Sequence, residues 1–456
     1  MSREEQRFIA DHPKSAALYQ RAQQSLLGGV PMNWMKKWAG KFPVFVAEGR
    51  GAHFTCVDGR EYIDLCLGDT GAMTGHSPAP TVEAVARQSQ RGMTLMLPTE
   101  DAVWVGEELA RRFGLPFWQF ALTATDANRF AIRIAREITG RPKILVFNYC
   151  YHGTVDESFI TLAPPETRAE AEARAANKPR APRESGPRRG NIGPAVNPAE
   201  TTRVVEFNDL DTLETALANG DVACILAEPV LTNVGIVHPD PGFWARASDL
   251  ARQYQSLLIL DETHTICSGP GGYARAHDLH PDMFVIGKPI AGGVPAAAYG
   301  STESVARRIA LRIQLEDCDT GGIGGTLAGN AVSLAAMRAT LEHVLTPAAF
   351  EHMIPLAERF TEGVAAAIAE ARLPWHVTRL GCRAEYQFGA RPPRNGGEAA
   401  AAMDFELERF MHLYALNRGI LLTPFHNMAL MSPATTAADI EAHAHVFGAA
   451  LAELTS

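Results

Sequence analysis

Short apolar segments alternate with amphipathic segments through the middle of the chain. The runs KILVFN (143–148), ACILAEPV (223–230) and LLILDET (257–263) are mainly apolar, a pattern typical of strands buried on both faces of a parallel sheet. Helical periodicity extends over 126–139 and 242–254, where apolar residues recur every three or four positions. This alternation predicts an α/β fold with a mostly parallel sheet.

After about residue 326 the pattern changes to longer amphipathic helices with a few strands between them. These helices are predicted over 327–345, 347–371, 398–417 and 437–454. We therefore expect a large α/β domain over 81–325 and a smaller α+β domain over 326–456, with the N-terminal segment 1–80 contributing to the smaller domain.

The segment 164–194 differs from the rest of the chain, because it is rich in proline, arginine, alanine and glutamate and poor in residues that form cores. Such a composition predicts a solvated excursion on the surface. A phosphate-binding role for its arginines is the alternative, and the sequence leaves it open.

Composition narrows the classes of function. The 456 residues are 46% hydrophobic and 20% charged, as expected for a globular protein, and the formal net charge of −9 argues against binding to nucleic acid or anionic membranes. The seven cysteines form no Cys-x-x-Cys pair, so we expect neither a disulfide framework nor a metal site. With no signal peptide recognised, we expect a cytoplasmic protein whose partners are small molecules or a second copy.

Two side chains that could take part in a reaction lie at the ends of predicted strands. Asp261 ends the run LLILD, and Lys288 follows FVIG in the stretch FVIGKPIAGG. Because the carboxyl ends of strands line the ligand crevice of an α/β sheet, we expect both side chains in one site. A lysine in an apolar crevice can be neutralised as a Schiff base with a carbonyl ligand. A surface lysine and a helix-capping aspartate remain the plainer alternatives.

A turn of small residues precedes the helix predicted over 126–139. It reads Thr123-Ala124-Thr125, and the N–H groups at the start of such a helix bind anions such as phosphate. Further along, Tyr151-His152-Gly153 places an aromatic ring near the same sheet edge. Taken alone, the turn is also compatible with an ordinary capped helix, and the aromatic ring with a core position.

In their order and spacing these motifs resemble the class III aminotransferases, which use pyridoxal phosphate and have fold type I. The resemblance also covers Gly-Gly-Val at 28–30, GRGAHFTCVDGREYIDLCLGDTGAMTGHS at 49–77, AEPV at 227–230 and GGTLAGN at 324–330. It is strongest toward the branches of glutamate-1-semialdehyde aminomutase and of ω-amine transaminases.

The resemblance implies a role for each matching residue. Lys288 would hold the cofactor as a Schiff base and move the substrate proton, while Asp261 would keep the pyridine nitrogen protonated. Thr326 resembles the threonine that this family lends to the neighbouring subunit, which implies a homodimer with shared active sites. The cofactor-binding residues implied are Thr123, Ala124, Thr125, Tyr151, His152, Gly153, Glu228, Asp261, Thr263, Lys288 and Thr326.

The chain departs from the family pattern at several positions. Ala124 stands where the family commonly has glycine, and Thr263 stands where it has an apolar residue. We expect weaker phosphate binding from the first change, because a Cβ atom restricts the approach of the backbone. His264 and Cys267 are expected as packed neighbours of the site, with catalytic roles as the alternative.

Four residues occupy positions where relatives that act on amino acids have an arginine, and they favour an apolar pocket for an arylalkyl or alkyl amine: Trp34, Met35, Phe425 and His426. Arg383 and Arg391 are candidates for binding the carboxylate of a keto acid. Either arginine could instead pair only with Glu385 or another surface acid, and Trp34 could instead be a core residue.

Three functional hypotheses follow. The leading one is a transaminase that moves an amino group between a primary amine or amino acid and a keto acid such as pyruvate. The second is an aminomutase, or an amino-acid or lactam racemase, which completes the reaction on one molecule. The third is a protein that binds the cofactor without turnover.

Overall fold

The structure is a computed structural model that describes residues 1–163, 183–423 and 425–456. Its strands, numbered in chain order, are β1 Val46–Arg50, β2 His53–Cys56, β3 Glu61–Asp64, β4 Phe117–Ala121, β5 Lys143–Phe147, β6 Ile160–Leu162, β7 Ser185–Pro187, β8 Thr202–Val205, β9 Val222–Ala227, β10 Leu257–Asp261, β11 Met283–Ile286, β12 Ala297–Ser301, β13 His376–Leu380, β14 Arg383–Gln387, β15 Ile420–Leu421 and β16 Met428–Leu430. Its α-helices are Ser2–Asp11, Pro13–Ala22, Ala79–Arg91, Glu100–Phe113, Ala124–Thr139, Pro198–Thr201, Leu210–Leu217, Phe243–Gln253, Gly272–Ala276, Glu303–Arg312, Cys318–Gly321, Ala331–His343, Pro347–Glu370, Gly396–Ala401, Phe405–Leu416 and Ala437–Thr455.

A sheet of seven strands forms the centre of the molecule, in the order β4-β12-β11-β10-β9-β5-β8. Five neighbouring strands, from β11 to β8, run parallel, and β12 pairs antiparallel with both β11 and β4. Every residue of β9 and β10 is buried, as their apolar sequences predicted. The expected α/β fold with a mostly parallel sheet is confirmed, and the parallel strands end at one edge.

The helix Ala124–Thr139 follows β4 and covers the sheet. Thr123 caps its first turn by accepting a hydrogen bond from the Asp126 N–H group, and Gly140 ends it in the left-handed conformation with φ +69°. Its apolar residues recur every three or four positions, so one side of the helix is buried against the core. Because β12 is antiparallel to both β11 and β4, β4 runs in the same direction as the parallel strands, and the N-terminus of this helix lies at the edge where they end.

The two ends of the chain meet in a second sheet. Strand β15 pairs in parallel with β3, where Ile420 lies opposite Ile63, so the four-stranded sheet β1-β2-β3-β15 joins residues from both termini. Strands β13, β14 and β16 form a separate antiparallel sheet. This pairing agrees with a smaller domain drawn from 1–80 and 326–456, a division that we retain as a proposal.

Two predicted helices have different limits in the structure. The single helix predicted over 398–417 is wrong, because Asp404 caps a new helix at Phe405–Leu416 by accepting a hydrogen bond of 3.0 Å from the Leu407 N–H group. The helix predicted from residue 327 begins at Ala331, where Asn330 accepts from the Ser333 N–H group. In both places a capping side chain sets the start of the helix.

The segment predicted as a solvated excursion, 164–194, lies partly outside the described residues, since 164–182 are not described. The remainder is more ordered than predicted, because β7 pairs with β6. Arg188 also donates a hydrogen bond of 2.9 Å to the Cys150 carbonyl oxygen. Across the described part of the chain, the helices are too short or too polar to span a bilayer.

Candidate active site

Lys288 lies just beyond the end of β11, at the carboxyl edge of the central sheet. Its backbone has φ +49°, an uncommon conformation for a residue with a side chain and one that is frequent at functional sites. Gly287, the preceding residue, permits the close approach of Ala124, because a Cβ atom at position 287 would lie 3.0 Å from the Ala124 Cβ atom and 3.2 Å from the Ala124 nitrogen. The lysine and the helix N-terminus are therefore held close together.

Asp261 ends the neighbouring strand β10 and is 4% exposed. Its Oδ2 atom accepts hydrogen bonds from Asn128 Nδ2 at 2.8 Å and from His152 Nδ1 at 2.9 Å, while Oδ1 accepts from the Thr263 N–H group at 3.1 Å. Burial would raise the pKa of Asp261, but the bond and charge of His152 outweigh it and lower the pKa. Asp261 is thus a buried carboxylate, suited to pair with a protonated ring nitrogen.

The start of the helix Ala124–Thr139 forms an anion cradle. The Thr123 hydroxyl is engaged within the first turn, since it donates to Asp126 Oδ2 at 2.8 Å. The Thr125 hydroxyl accepts from the Thr154 N–H group at 3.1 Å. Gly153 has φ +76°, and a Cβ atom there would lie 2.0 Å from Thr125 Oγ1. The cradle therefore requires glycine beside the helix start.

Three further predicted residues form the walls of the site. Tyr151 donates its backbone N–H group to Glu228 Oε1 at 3.2 Å, which fixes the tyrosine beside the sheet edge. Burial raises the pKa of the Glu228 carboxyl and that of the Tyr151 hydroxyl. The Thr263 hydroxyl is buried and has no hydrogen-bond partner among the described residues. It is a polar group available to a ligand.

These residues enclose a cavity of about 310 Å³ at the carboxyl edge of the sheet. Apolar side chains, including Leu122 and Val294, complete its lining. Of the residues predicted from the sequence, the structure brings together around this cavity Thr123, Ala124, Thr125, Tyr151, Gly153, Glu228, Asp261, Thr263 and Lys288.

The amine of Lys288 is held by Asp69, to which the sequence assigned no role, and by His264, which was expected as a packed neighbour of the site. Lys288 Nζ lies 2.8 Å from the Asp69 carbonyl oxygen, 2.9 Å from Asp69 Oδ2 and 2.8 Å from His264 Nε2. Burial would raise the pKa of Asp69, but the neighbouring basic side chains, chiefly Lys288, hold it well below its ordinary value. Burial lowers the pKa of His264 well below its usual range. His264 is therefore a neutral imidazole.

Several predicted residues lie outside the cavity lining. His152 is 1% exposed and lies behind Asp261, so it supports the carboxylate from the side of the sheet. Thr326 is exposed on the surface. Arg383 is 0% exposed, and its Nη1 atom donates to His264 Nδ1 at 3.2 Å. The arginine expected to bind a substrate carboxylate is thus engaged inside the protein.

The residues predicted for an apolar substrate pocket form a cluster of their own. The rings of Trp34 and Phe425 meet edge to face with centroids 5.7 Å apart, and Lys37 Nζ lies 4.9 Å from the Phe425 centroid. Met35 is half-buried, and His426 is 5% exposed with Nδ1 3.3 Å from Glu385 Oε1. These residues are not part of the lining of the cavity around Lys288.

The contributions of Asp69, Thr70 and Asn128 were missed by sequence reasoning. The signal for the first two was the polar pair within the otherwise apolar stretch 65–73, which the resemblance covered without assigning a role to either residue. Asn128 was hidden because a single polar residue on a helix is normally exposed. Its 0% exposure and its bond to Asp261 become visible only in the fold.

Comparison with known proteins identifies the family. Residues 34–449 match the family model described as aminotransferase class-III. The chain belongs to the class III aminotransferase family. It is 33% identical to a glutamate-1-semialdehyde 2,1-aminomutase of Sorangium cellulosum (strain So ce56) over 444 residues, which cover 94% of each chain.

Solved structures of this family share the fold. A glutamate-1-semialdehyde-aminomutase from Pseudomonas aeruginosa PAO1 superposes with a TM-score of 0.93 and 50% identity, covering 99% of this chain and 97% of the other. A lysine-to-alanine variant of that enzyme was solved in complex with PMP. An omega-transaminase from Sphaerobacter thermophilus has a TM-score of 0.84 and 28% identity, with 97% and 98% covered. Fold type I is thereby confirmed.

The site of this class III protein fits the cofactor of the family, and the prediction of pyridoxal phosphate is confirmed at the level of the family. The anion cradle at Ala124 and Thr125 suits a phosphate group. The carboxylate of Asp261 suits a pyridinium nitrogen, and the amine of Lys288 suits a carbonyl carbon. The unpartnered hydroxyl of Thr263 supplies a further polar contact in the cavity.

Proposed function

We propose that this chain is a pyridoxal phosphate-dependent aminomutase, which moves an amino group between neighbouring carbons of one small substrate. The observation that carries the proposal is the 50% identity, over 99% of the chain, with the aminomutase of Pseudomonas aeruginosa. The omega-transaminase relative is more distant, at 28% identity. The relatives thus favour the second hypothesis of the sequence analysis over the first.

The cofactor would be held at three points. Ala124 and Thr125 would offer helix N–H groups to its phosphate, Asp261 would pair with its ring nitrogen, and Tyr151 would pack against its ring. When bound, pyridoxal phosphate supplies an electron-withdrawing ring that stabilises negative charge on the carbon bearing the amino group. Asp261 would preserve this property, because its lowered pKa keeps it a carboxylate that would hold a proton on the ring nitrogen.

Lys288 is the residue that we assign to proton transfer at the substrate. Its Nζ atom lies in the cavity and is oriented by Asp69 and His264, so it can take a proton from one carbon and return it to the next. Apolar residues such as Leu122 and Val294 exclude water from the reacting atoms. Both transfers use one bound substrate, which is the requirement of an aminomutase.

The test uses glutamate 1-semialdehyde as the sole substrate. The expected product carries the amino group on carbon 1 instead of carbon 2, and it should form without any added keto acid. Lys288→Ala is the control and should yield no product. Formation of product only when a keto acid is supplied would refute the aminomutase proposal.

The transaminase remains a second candidate, and the lining of the cavity favours it. Among the described residues that line the cavity, Lys288 is the one cation, and none is an arginine that could bind a substrate carboxylate. Such a lining suits an arylalkyl or alkyl amine. A panel of 1-phenylethylamine, β-amino acids and α-amino acids, each with pyruvate as acceptor, tests it. Alanine formation from the aryl amine, together with no isomerisation of glutamate 1-semialdehyde, would support this candidate.

We also propose a cytoplasmic homodimer in which Thr326 completes the cofactor site of the partner subunit. Exposed apolar side chains support a covered surface, since Leu327, next to Thr326 in sequence, is 49% exposed and Leu311 is 85% exposed in the single chain. Sedimentation or light scattering should give twice the chain mass of 49.3 kDa. A monomer that retains the cofactor would refute the shared site.

A further inference from the structure

Asp69 presents two oxygen atoms to one ammonium group. Its carbonyl oxygen lies 2.8 Å from Lys288 Nζ, and its Oδ2 atom forms an ion pair with the same nitrogen at 2.9 Å. His264 Nε2 lies 2.8 Å from Nζ on a further side. Because Arg383 also approaches this imidazole, at Nδ1, the two oxygens of Asp69 are the acceptors that do not depend on the His264 tautomer. These two oxygens form what we call the ammonium cradle.

A turn with an uncommon backbone holds the ammonium cradle beside the cavity. Four consecutive residues have positive φ angles: Leu67 (44°), Gly68 (58°), Asp69 (50°) and Thr70 (80°). Asp64 Oδ1 fixes the start of the turn, since it accepts from the N–H groups of Cys66 at 2.9 Å and Leu67 at 2.8 Å. Gly71, which follows the turn, lines the cavity. Backbone conformations of this kind concentrate at active sites and ligand clamps.

Asp69 is the carboxylate at this site whose partner changes when the cofactor binds. Two other carboxyl groups line the cavity. Asp261 is assigned to the ring nitrogen of the cofactor, and Glu228 accepts hydrogen bonds from Thr232. In contrast, Asp69 Oδ2 is bonded to Lys288, and Asp69 Oδ1 is buried without a hydrogen-bond partner among the described residues. Asp69 therefore loses its main partner when Lys288 bonds to the cofactor.

The charge of Asp69 does not depend on Lys288 alone. Burial would raise the pKa of Asp69, but Lys288, followed by other basic side chains that include Arg383, holds it well below its ordinary value. A guanidinium group such as that of Arg383 stays charged at any ordinary pH. Asp69 thus remains a carboxylate after Lys288 has left it. Since its side chain is only 15% exposed, this carboxylate is stabilised by a new cationic partner.

We propose that Asp69 recognises the amino group of the substrate: the ammonium cradle, which holds Lys288 in the cofactor-free protein, binds the primary ammonium group of the substrate when the cofactor takes up Lys288. The inference rests on the proposed function, since it takes Lys288 as the lysine that bonds to the cofactor. A substrate amine that displaces Lys288 must reach the same carbonyl carbon, so its nitrogen enters the space beside Nζ. The cradle selects a primary ammonium group over a neutral group of the same size, because both of its bonds are donated by the cation.

The first experiment uses Lys288→Ala freed of cofactor, with n-propylammonium as the probe. This probe has the same heavy atoms as the part of the lysine side chain that alanine lacks, from Cγ to Nζ. The neutral probe of the same length is 1-propanol. Titrations followed by the NMR signals of the probes should show about 10- to 100-fold tighter binding of propylammonium, the effect of one hydrogen bond to a charged group. Equal affinities for the two probes would overturn the proposal.

Asp69→Asn, added to Lys288→Ala, removes the charge and keeps the turn, because asparagine also tolerates positive φ. It should weaken propylammonium binding about tenfold or more and leave the binding of 1-propanol unchanged. Glu228→Gln is the matched control, since it makes the same change of carboxylate to amide in the lining of the cavity, and it should cost less affinity. An equal loss in both variants would overturn the proposal, because the overall charge of the cavity would then explain the binding. If Asp69→Asn does not fold, the two probes in Lys288→Ala still decide.

The second experiment uses the cofactor-loaded enzyme with Lys288 in place. Asp69→Asn should raise the KM for glutamate 1-semialdehyde about 10- to 100-fold and change kcat less, because the lost contact belongs to substrate binding. A lower kcat with an unchanged KM would mean that Asp69 serves Lys288 alone, and it would overturn the proposal. If glutamate 1-semialdehyde is not isomerised, the proposed function fails by itself. The KM of the donor that reacts in the amine panel then takes its place, with the same two outcomes for Asp69.

Discussion

A single methyl group at Gly153 tests the anion cradle. In Gly153→Ala the new Cβ atom would lie 2.0 Å from Thr125 Oγ1 and 2.9 Å from Thr125 Cβ, whereas Cβ atoms essentially never approach another atom closer than 3.0 Å. The Thr125 hydroxyl must therefore move by about 1 Å, and the Thr125 Cα atom, which lies 3.0 Å from the new methyl group in the first turn of the helix Ala124–Thr139, must shift by a few tenths of an ångström. The N–H groups assigned to the cofactor phosphate move with it.

Gly153→Ala is expected to lower both the folding stability and the affinity for the cofactor. Alanine at φ +76° costs roughly 1–2 kcal/mol of folding free energy, because the left-handed conformation crowds the Cβ atom. Displacement of the first turn weakens hydrogen bonds to a charged phosphate, each of which contributes about 1.5–3 kcal/mol. Loss of one such bond lowers the affinity for pyridoxal phosphate about 10- to 100-fold.

The variant Gly140→Ala separates the loss of folding stability from the loss of cofactor affinity. Gly140 ends the same helix at φ +69°, and a Cβ atom there would meet nothing within 4 Å. This variant should lose about the same folding free energy in urea denaturation and bind the cofactor as the wild type does. Affinity is measured by titrating the cofactor-free proteins with pyridoxal phosphate and following absorbance. Equal affinities in Gly153→Ala and Gly140→Ala would refute the assignment of the cradle.

Lys288→Ala should purify without the visible absorption band of a lysine-bound cofactor, and a retained band would mean that another lysine holds it. Thr326→Ala should lose cofactor faster than the wild type on dialysis if the site is shared between subunits; unchanged retention would contradict sharing. Burial, followed by the charges of Glu385 and Asp404, raises the pKa of Glu408 to about 7. The folded protein therefore favours neutral Glu408, and stability falls as the pH rises from the ordinary carboxyl value through 7. Glu408→Gln should be more stable than the wild type at pH 8, by up to about 3 kcal/mol, and about equal at pH 4, as measured in urea; equal stability at pH 8 would contradict the raised pKa.

The parts of the fold that were predicted correctly are those set by local pattern. Strands β9 and β10 are continuous apolar runs, and the helix Ala124–Thr139 has a capping threonine, an apolar side and a terminal glycine close together in sequence. The interruption before Phe405–Leu416 was missed because Asp404 also fits an exposed position within a longer helix. The pairing of β15 with β3 depends on residues more than 350 positions apart.

The candidate site shows the same contrast between features set by local sequence and features set by the tertiary fold. Lys288 and Asp261 were predicted because each lies at the carboxyl end of a strand, and neighbouring parallel strands bring their carboxyl ends together. The contacts that hold Lys288 arise from separate parts of the chain: Asp69 is 219 positions away, and Arg383 reaches His264 across 119 positions. No periodicity relates these segments, so their meeting is a property of the tertiary fold.

The complete burial of Arg383 shows how a polar pattern can be misread. The run RAEYQ alternates polar and apolar residues, which normally indicates a strand with one face in solvent. In the structure all five residues of β14 are buried, because β14 lies between β13 and β16 and its polar face is directed inward. There Arg383 meets His264, and Gln387 donates to the Val234 carbonyl oxygen at 3.0 Å. The alternation thus marks a second polar environment inside the protein, where Arg383 donates to His264 and lies outside the lining of the cavity.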